Sequence, residues 1–218
     1  MRFFRKRGYF WLVLTILLGS YFFLNKPFRN IKVFASYNYL DEKELEKIVK
    51  SGLRGGFFGV NNLYYLRDQI LQNGWVESVS IKRQWPGGLV INVVEQKPIL
   101  WWNEQLVNDK GELFFPGKEF VLDLPRIESI NFEIGDILEI YKVTSDLVWP
   151  FKLVKIKKVI DHYWQLEFEP CCIFILGVNQ PAQSLMRIYP VLKKITNNFN
   201  KIPKKVDARY SGDLAVKW

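Results

Sequence analysis

The longest apolar stretch runs from Tyr9 to Leu24, sixteen residues without a charge, with Arg2, Arg5, Lys6 and Arg7 before it and Lys26 and Arg29 after it. As a helix it rises about 24 Å, short of the ~30 Å hydrocarbon core of a bilayer, so flanking residues must complete a span. Tyr9, Phe10 and Trp11 at one end and Tyr21, Phe22 and Phe23 at the other supply an aromatic belt at each interface. A cleaved signal peptide would close on small residues, whereas this run closes on Phe22, Phe23, Leu24, Asn25 and Lys26. The pattern predicts an uncleaved anchor over 9–26. The excess of basic residues before it puts the tail, 1–8, in the cytoplasm and everything from about residue 27 outside.

Beyond the anchor, Ile31, Val33 and Ala35 alternate with Lys32, Phe34 and Ser36, a short strand pattern. Asp41 with Glu44 three residues on forms a capping box, and Leu40 with Leu45 a hydrophobic staple around it. Leu45, Ile48 and Val49 give that helix its buried stripe, with Gly52 as its stop. Asn61 or Asn62 can cap a second helix carrying Leu63, Leu66, Ile70 and Leu71, closed by Asn73 and Gly74. Two extended runs, Trp75 to Gln84 and Leu89 to Glu95, flank Trp85, Pro86, Gly87 and Gly88, a hairpin turn. The order strand, helix, helix, strand, strand predicts two helices on one face of a three-stranded sheet, with Leu45, Ile48, Leu66, Ile70, Val79 and Ile81 sharing a core.

From Lys97 the texture becomes short strands: Ile99 to Trp102, Gln105 to Asn108, Glu112 to Phe115 and an extended piece Val121 to Leu124. Ile134 to Val148 reads as a helix with Ile137, Leu138, Tyr141 and Leu147 on one side. Lys152 to Ile160, Tyr163 to Glu169 and Cys172 to Gly177 read as strands. Pro181 opens a last helix whose stripe is Leu185, Ile188, Tyr189, Leu192 and Ile195, and Pro190 within it predicts a kink. Val206, Ala208 and Tyr210, then Leu214, Val216 and Trp218, give two final alternating segments. The last has no later segment to cover it and is a candidate open edge.

The formal charge of +9 changes meaning once located. Residues 1–40 hold seven Lys or Arg and no Asp or Glu, leaving 24 basic against 22 acidic residues beyond them. The excess is mostly topological and does not make a nucleic-acid-binding face. Two lysine clusters, one at 152, 155, 157 and 158 and one from Lys193 to Lys205, read as solvated faces.

Candidate chemistry is sparse. The single histidine, His162, falls in a turn, and no HExxH, G-x-S-x-G or ligand-spaced Cys/His cluster occurs. Gly55, Gly56 and Gly59 lack the Gly-Lys-Ser/Thr of a phosphate cradle, and Asn108, Asp109 and Glu112 lack the spacing of a calcium loop. Adjacent on a strand, Cys171 and Cys172 would point to opposite faces, so no disulfide joins them and at least one is a small core residue. The residues point away from an enzyme and call for no cofactor or metal.

A family likeness emerges from ordered matches along the exported chain. They are Trp75-Val76 with Val79, Lys82-Arg83-Gln84-Trp85-Pro86, Val94-Glu95 with Pro98, and Trp102-Asn103. Further on come Val107 with Asp109 and Gly111, Tyr189-Pro190-Val191-Leu192, Val206-Asp207, Arg209-Tyr210, Gly212, Ala215-Val216 and Trp218. In these the chain resembles the FtsQ/DivIB family of cell-division proteins. The resemblance implies an α+β protein with a single N-terminal transmembrane helix, a POTRA domain (β-α-α-β-β) over 27–97 and a strand-rich β domain with flanking helices over 98–218. It also implies a non-enzymatic, single-pass inner-membrane scaffold at the division septum. Such a scaffold keeps its C-terminal domains periplasmic, binds FtsB, FtsL and other divisome proteins, and helps to position septal peptidoglycan synthesis. The alternative reading is a POTRA-containing transport or outer-membrane assembly component. In the family the terminal strands receive the FtsB segment, which carries the partner-binding role onto Arg209, Tyr210 and Trp218, with Ser211, Gly212 and Lys217 as neighbours. Val178 stands where some members carry an arginine after the Leu-Gly pair.

Overall fold

The computed structural model describes residues 2–24, 30–53, 60–85, 87–117, 120–129, 133–147, 151–159, 162–170, 172–199, 201–210 and 212–218, with the side chains of 2–9, 22–24 and 60–62 outside that description. The chain divides into two compact units, Met1–Gln96 and Lys97–Trp218.

The first unit opens with helix α1, Arg2–Leu24, which takes in the basic residues expected to form a separate tail. Its described side chains, from Phe10 to Tyr21, are largely exposed. Those twelve residues rise only about 18 Å, and among the described residues no helix is long and apolar enough to cross a membrane.

Strand β1 (Asn30–Phe34), helices α2 (Glu42–Gly52) and α3 (Val60–Leu71), and strands β2 (Val76–Gln84) and β3 (Gly88–Glu95) follow in the expected order. The sheet order is β1-β3-β2, with β1 parallel and β2 antiparallel to β3. Asp41 caps α2 by accepting the backbone N–H of Lys43 at 2.9 Å and of Glu44 at 3.4 Å. Leu45, Leu66, Ile70 and Val79 are buried with Leu89 and Ile91, while Ile48 and Ile81 reach only half burial.

Two local expectations change. Asn61 and Asn62 lie inside α3, because the helix already begins at Val60. Gly52 is the last helical residue of α2, and what it supplies is room: a Cβ there would stand 2.8 Å from Leu66 Cδ1, so the glycine lets α2 close on α3.

The second unit is one nine-stranded sheet. Its strands are β4 (Pro98–Trp102), β5 (Gln105–Asn108), β6 (Leu113–Phe114), β7 (Arg126–Ile127), β8 (Lys152–Val159), β9 (Tyr163–Glu169), β10 (Cys172–Leu176), β11 (Lys205–Ala208) and β12 (Ala215–Lys217). Their spatial order is β12-β11-β10-β9-β8-β7-β4-β5-β6. Helix α4 (Ile134–Asp146) packs on α5 (Pro181–Phe199), and α5 returns the chain so that β11 runs parallel to β10. Ile137, Ile140, Leu185, Ile188 and Leu192 from the helices join Ile156, Trp164, Leu166, Phe174, Leu176 and Val206 from the sheet in one core.

Val121–Leu124 forms no strand. The Leu122 carbonyl is taken by Trp101 Nε1 at 3.1 Å, and pairing begins only at Arg126 in β7, a short strand seated between β4 and β8. Two residues are too few to leave a periodic trace in sequence. Helix α5 continues through Pro190 to Phe199. Cys172 is buried, and Cys171 lies outside the described residues. Asn108 binds Lys110 N, Glu112 N and the Glu112 carboxylate, a closed polar turn. Lys155 bridges Glu128 at 3.1 Å and Glu167 at 3.4 Å, so that part of the first lysine cluster is ion-paired.

Candidate functional site

The expected partner-binding residues gather at one end of the nine-stranded sheet, around its edge strand β12. Register explains how each is held. Val216 pairs with Val206, Ala215 with Asp207 and Lys217 with Lys205. Val206 is fully buried, so Val216 shares the core face, and by alternation Leu214 and Trp218 lie on that face too. Leu214 packs against the core. Trp218 stands 39% exposed against Phe199 at the end of α5, ring centroids 5.4 Å apart. It therefore closes the rim of the core rather than plugging its centre. Lys217 is exposed on the opposite face.

Arg209 follows β11 directly and faces back along it. Its Nη2 lies 2.8 Å from Asp207 Oδ2, its Nε donates to both carboxylate oxygens at 3.0 and 3.1 Å, and its backbone N–H also reaches Asp207 Oδ1. Burial works to raise the Asp207 carboxyl, but the hydrogen bonds and charge of Arg209 outweigh it and hold the group below its ordinary value. The reciprocal bond to Asp207 raises Arg209. The guanidinium lies 5.8 Å from the ring centres of both Tyr163 and Tyr210. Its charge is thus locally engaged while a face of it stays open to solvent.

Tyr210 is 67% exposed, and its carbonyl accepts Arg187 Nη2 at 3.2 Å. Gly212 adopts φ +123°, a conformation glycine accepts readily, and it turns the chain toward β12. Ser211 lies outside the described residues.

Sequence reasoning missed several supports of this edge. Leu176 pairs with both Ala208 and Trp164, so one step further Gly177, Arg209 and Tyr163 come level. A Cβ on Gly177 would stand 2.9 Å from the Arg209 carbonyl, so that glycine allows the backbones to pass closely. Gly177, Gln180, Ser184, Arg187 and Arg209 line an open cleft of about 530 Å³ beside the edge. The Asp207-x-Arg209 spacing was readable as a same-face pair on a strand. Arg187 and Phe199 reach the site from α5, and nothing in their local sequence marks them. Among the described residues no group of three or more His, Cys, Asp or Glu could hold a metal ion.

Comparison with known proteins decides the family. Residues 26–96 match the model of the FtsQ-type POTRA domain. The Cell division protein FtsQ of Coxiella burnetii is 32% identical over 199 residues, covering 88% of this chain and 80% of that protein. This chain belongs to the FtsQ family. Its FtsQ relatives include those of Cellvibrio japonicus, 24% identical over 95% of this chain and 68% of that protein, and of Escherichia coli, 25% identical over 88% and 73%. Within the first unit, residues 26–96, which run β1-α2-α3-β2-β3, are the FtsQ-type POTRA domain. Membership ties the chain to bacterial cell division.

Proposed function

We propose that the chain is a non-catalytic, single-pass inner-membrane scaffold of the division machinery, whose terminal strand receives an extended segment of FtsB. FtsL and other divisome proteins join the same assembly. The domains run as anchor 9–26, POTRA domain 27–97 and β domain 98–218. α1 anchors the chain with its basic N-terminus in the cytoplasm and both folded units in the periplasm at the septum, where they position and regulate septal peptidoglycan synthesis.

The observation that carries this reading is the open edge of β12 at the end of the nine-stranded sheet. One side of β12 pairs with β11, and its other side offers backbone N–H and C=O groups to an incoming strand, which gives affinity through main-chain bonds. Around it, Tyr210, Trp218, Ser211, Gly212 and Lys217 form the contact surface, and Arg209 meets acidic side chains of the partner. The charge of this region favours such a partner. From Arg187 to Trp218 the chain holds eight Lys or Arg and two Asp.

Binding of full-length protein in detergent to FtsB and FtsL tests the proposal. Tyr210→Ala should weaken FtsB binding by ~2 kcal/mol or more with the fold retained, because its ring is exposed rather than packed. Undiminished binding by a folded protein lacking residues 213–218 would refute the site. A periplasm-active reporter fused after Trp218 should be active, and a mature form starting near residue 25 would refute the anchor.

A further inference from the structure

The topology of the POTRA sheet fixes which of its ends faces the anchor. β1 runs parallel to β3 with Asn30 level with Gly88, and β2 runs antiparallel with Gln84 level with Gly88. The turn carrying Trp85 and the start of β1 therefore share one end of the sheet. Only five residues separate Leu24, the last of α1, from Asn30. Six Cα steps span at most about 22 Å, so this end of the sheet cannot lie far from the end of the anchor.

Three features of that end are unusual together. Trp85 is 74% exposed, the most exposed of the described tryptophans. Gly87, two residues on, adopts φ +73°, a conformation that glycine accepts readily. The cations are grouped with it: Lys32 and Lys82 are both level with Val90 and so share a face, and Arg83 follows. The only carboxylates on these three strands, Glu77 and Glu95, stand at the opposite end. The sheet is thus polarised along its strands, cationic where the anchor joins it and acidic where it does not. An amphipathic indole ring is at its most stable in the headgroup region of a bilayer, and Lys and Arg are drawn to anionic lipid.

We propose that the β2–β3 turn is a second membrane contact, with Trp85 seated in the headgroup layer of an anionic bilayer and Lys32 and Lys82 against lipid phosphates. This rests on the anchor reading of α1. The contact restrains the POTRA domain against the membrane surface instead of leaving it to swing on its five-residue connection.

The full-length chain labelled with 5-fluorotryptophan, in nanodiscs containing phosphatidylglycerol and a nitroxide-headgroup lipid, tests this by ¹⁹F NMR. Trp85→Phe, Trp11→Phe and Trp164→Phe assign three resonances. The expected result is loss of the Trp85 and Trp11 signals to paramagnetic broadening, with fully buried Trp164 remaining sharp. Reversing charge with Lys32→Glu and Lys82→Glu should restore the Trp85 signal. A broadened Trp11 beside a sharp Trp85 would overturn the proposal while leaving the anchor standing, and two sharp signals would overturn both.

Discussion

Trp218 lies against Phe199, ring centroids 5.4 Å apart and planes tilted by 53°. The contact fastens the residue that follows β12 to the last turn of α5. It steadies β12 against β11, and among the described residues no strand pairs with the other side of β12. A double-mutant cycle should resolve the contact. Phe199→Ala and Trp218→Ala are expected to couple by about 0.5–1.5 kcal/mol, read as unfolding free energy of the β domain. The shift in melting temperature from either alone should be modest, because both rings are partly exposed.

The close approach of α2 and α3 is tested by a second pair. Leu66→Ala removes a fully buried side chain and is expected to destabilise the POTRA domain by about 2–5 kcal/mol. Gly52→Ala places a methyl 2.8 Å from Leu66 Cδ1 and should cost about 1–3 kcal/mol. The double variant should be less destabilised than the sum, since truncating Leu66 makes room for the new methyl. Chemical denaturation of the four proteins measures this directly.

Glu95 organises the entry to α2. Its carboxylate accepts Ser36 Oγ at 2.7 Å and the backbone N–H groups of Asn38, Tyr39 and Leu40 at 3.0, 3.2 and 2.9 Å. Tyr39 in turn stacks on Trp75, with centroids 4.3 Å apart. Burial pushes the Glu95 carboxyl upward, but these four donors outweigh it and leave it below its ordinary value. A depressed carboxylate contributes stability that is complete above the unfolded value, about 4.3, and is lost as pH falls through the folded value. Glu95→Gln should therefore lower stability at pH 7 by roughly 2–4 kcal/mol and flatten the acid limb of the stability profile. An unchanged acid limb would show that another group controls it.

Sequence pattern made the POTRA domain legible almost element by element, because Asp41, the Leu45 and Leu66 stripes and the Trp85 turn are local features. It could not supply the pairing of β1 with β3, which joins segments some sixty residues apart and sets the end of the sheet at which Trp85 stands. In the β domain the strand runs were visible one at a time. Their merger into one nine-stranded sheet depends on β7, whose two residues leave no period to read. Around the terminal strand, Arg209, Tyr210 and Trp218 could be nominated from the sequence. Asp207 and Arg209, two residues apart on one strand face, could be paired from spacing alone, but that Gly177 lets the backbones pass depends on register between β10 and β11.

Amide hydrogen exchange of the full-length protein, with and without the exported segment of FtsB, tests strand addition at β12 most directly. Backbone bonds to an added strand should slow exchange by about an order of magnitude or more at saturating partner at those of the Ala215, Val216 and Lys217 amides that point away from β11, since these gain a ladder partner. FtsB binding with exchange at these residues unchanged, and protection appearing elsewhere in the chain, would contradict the account.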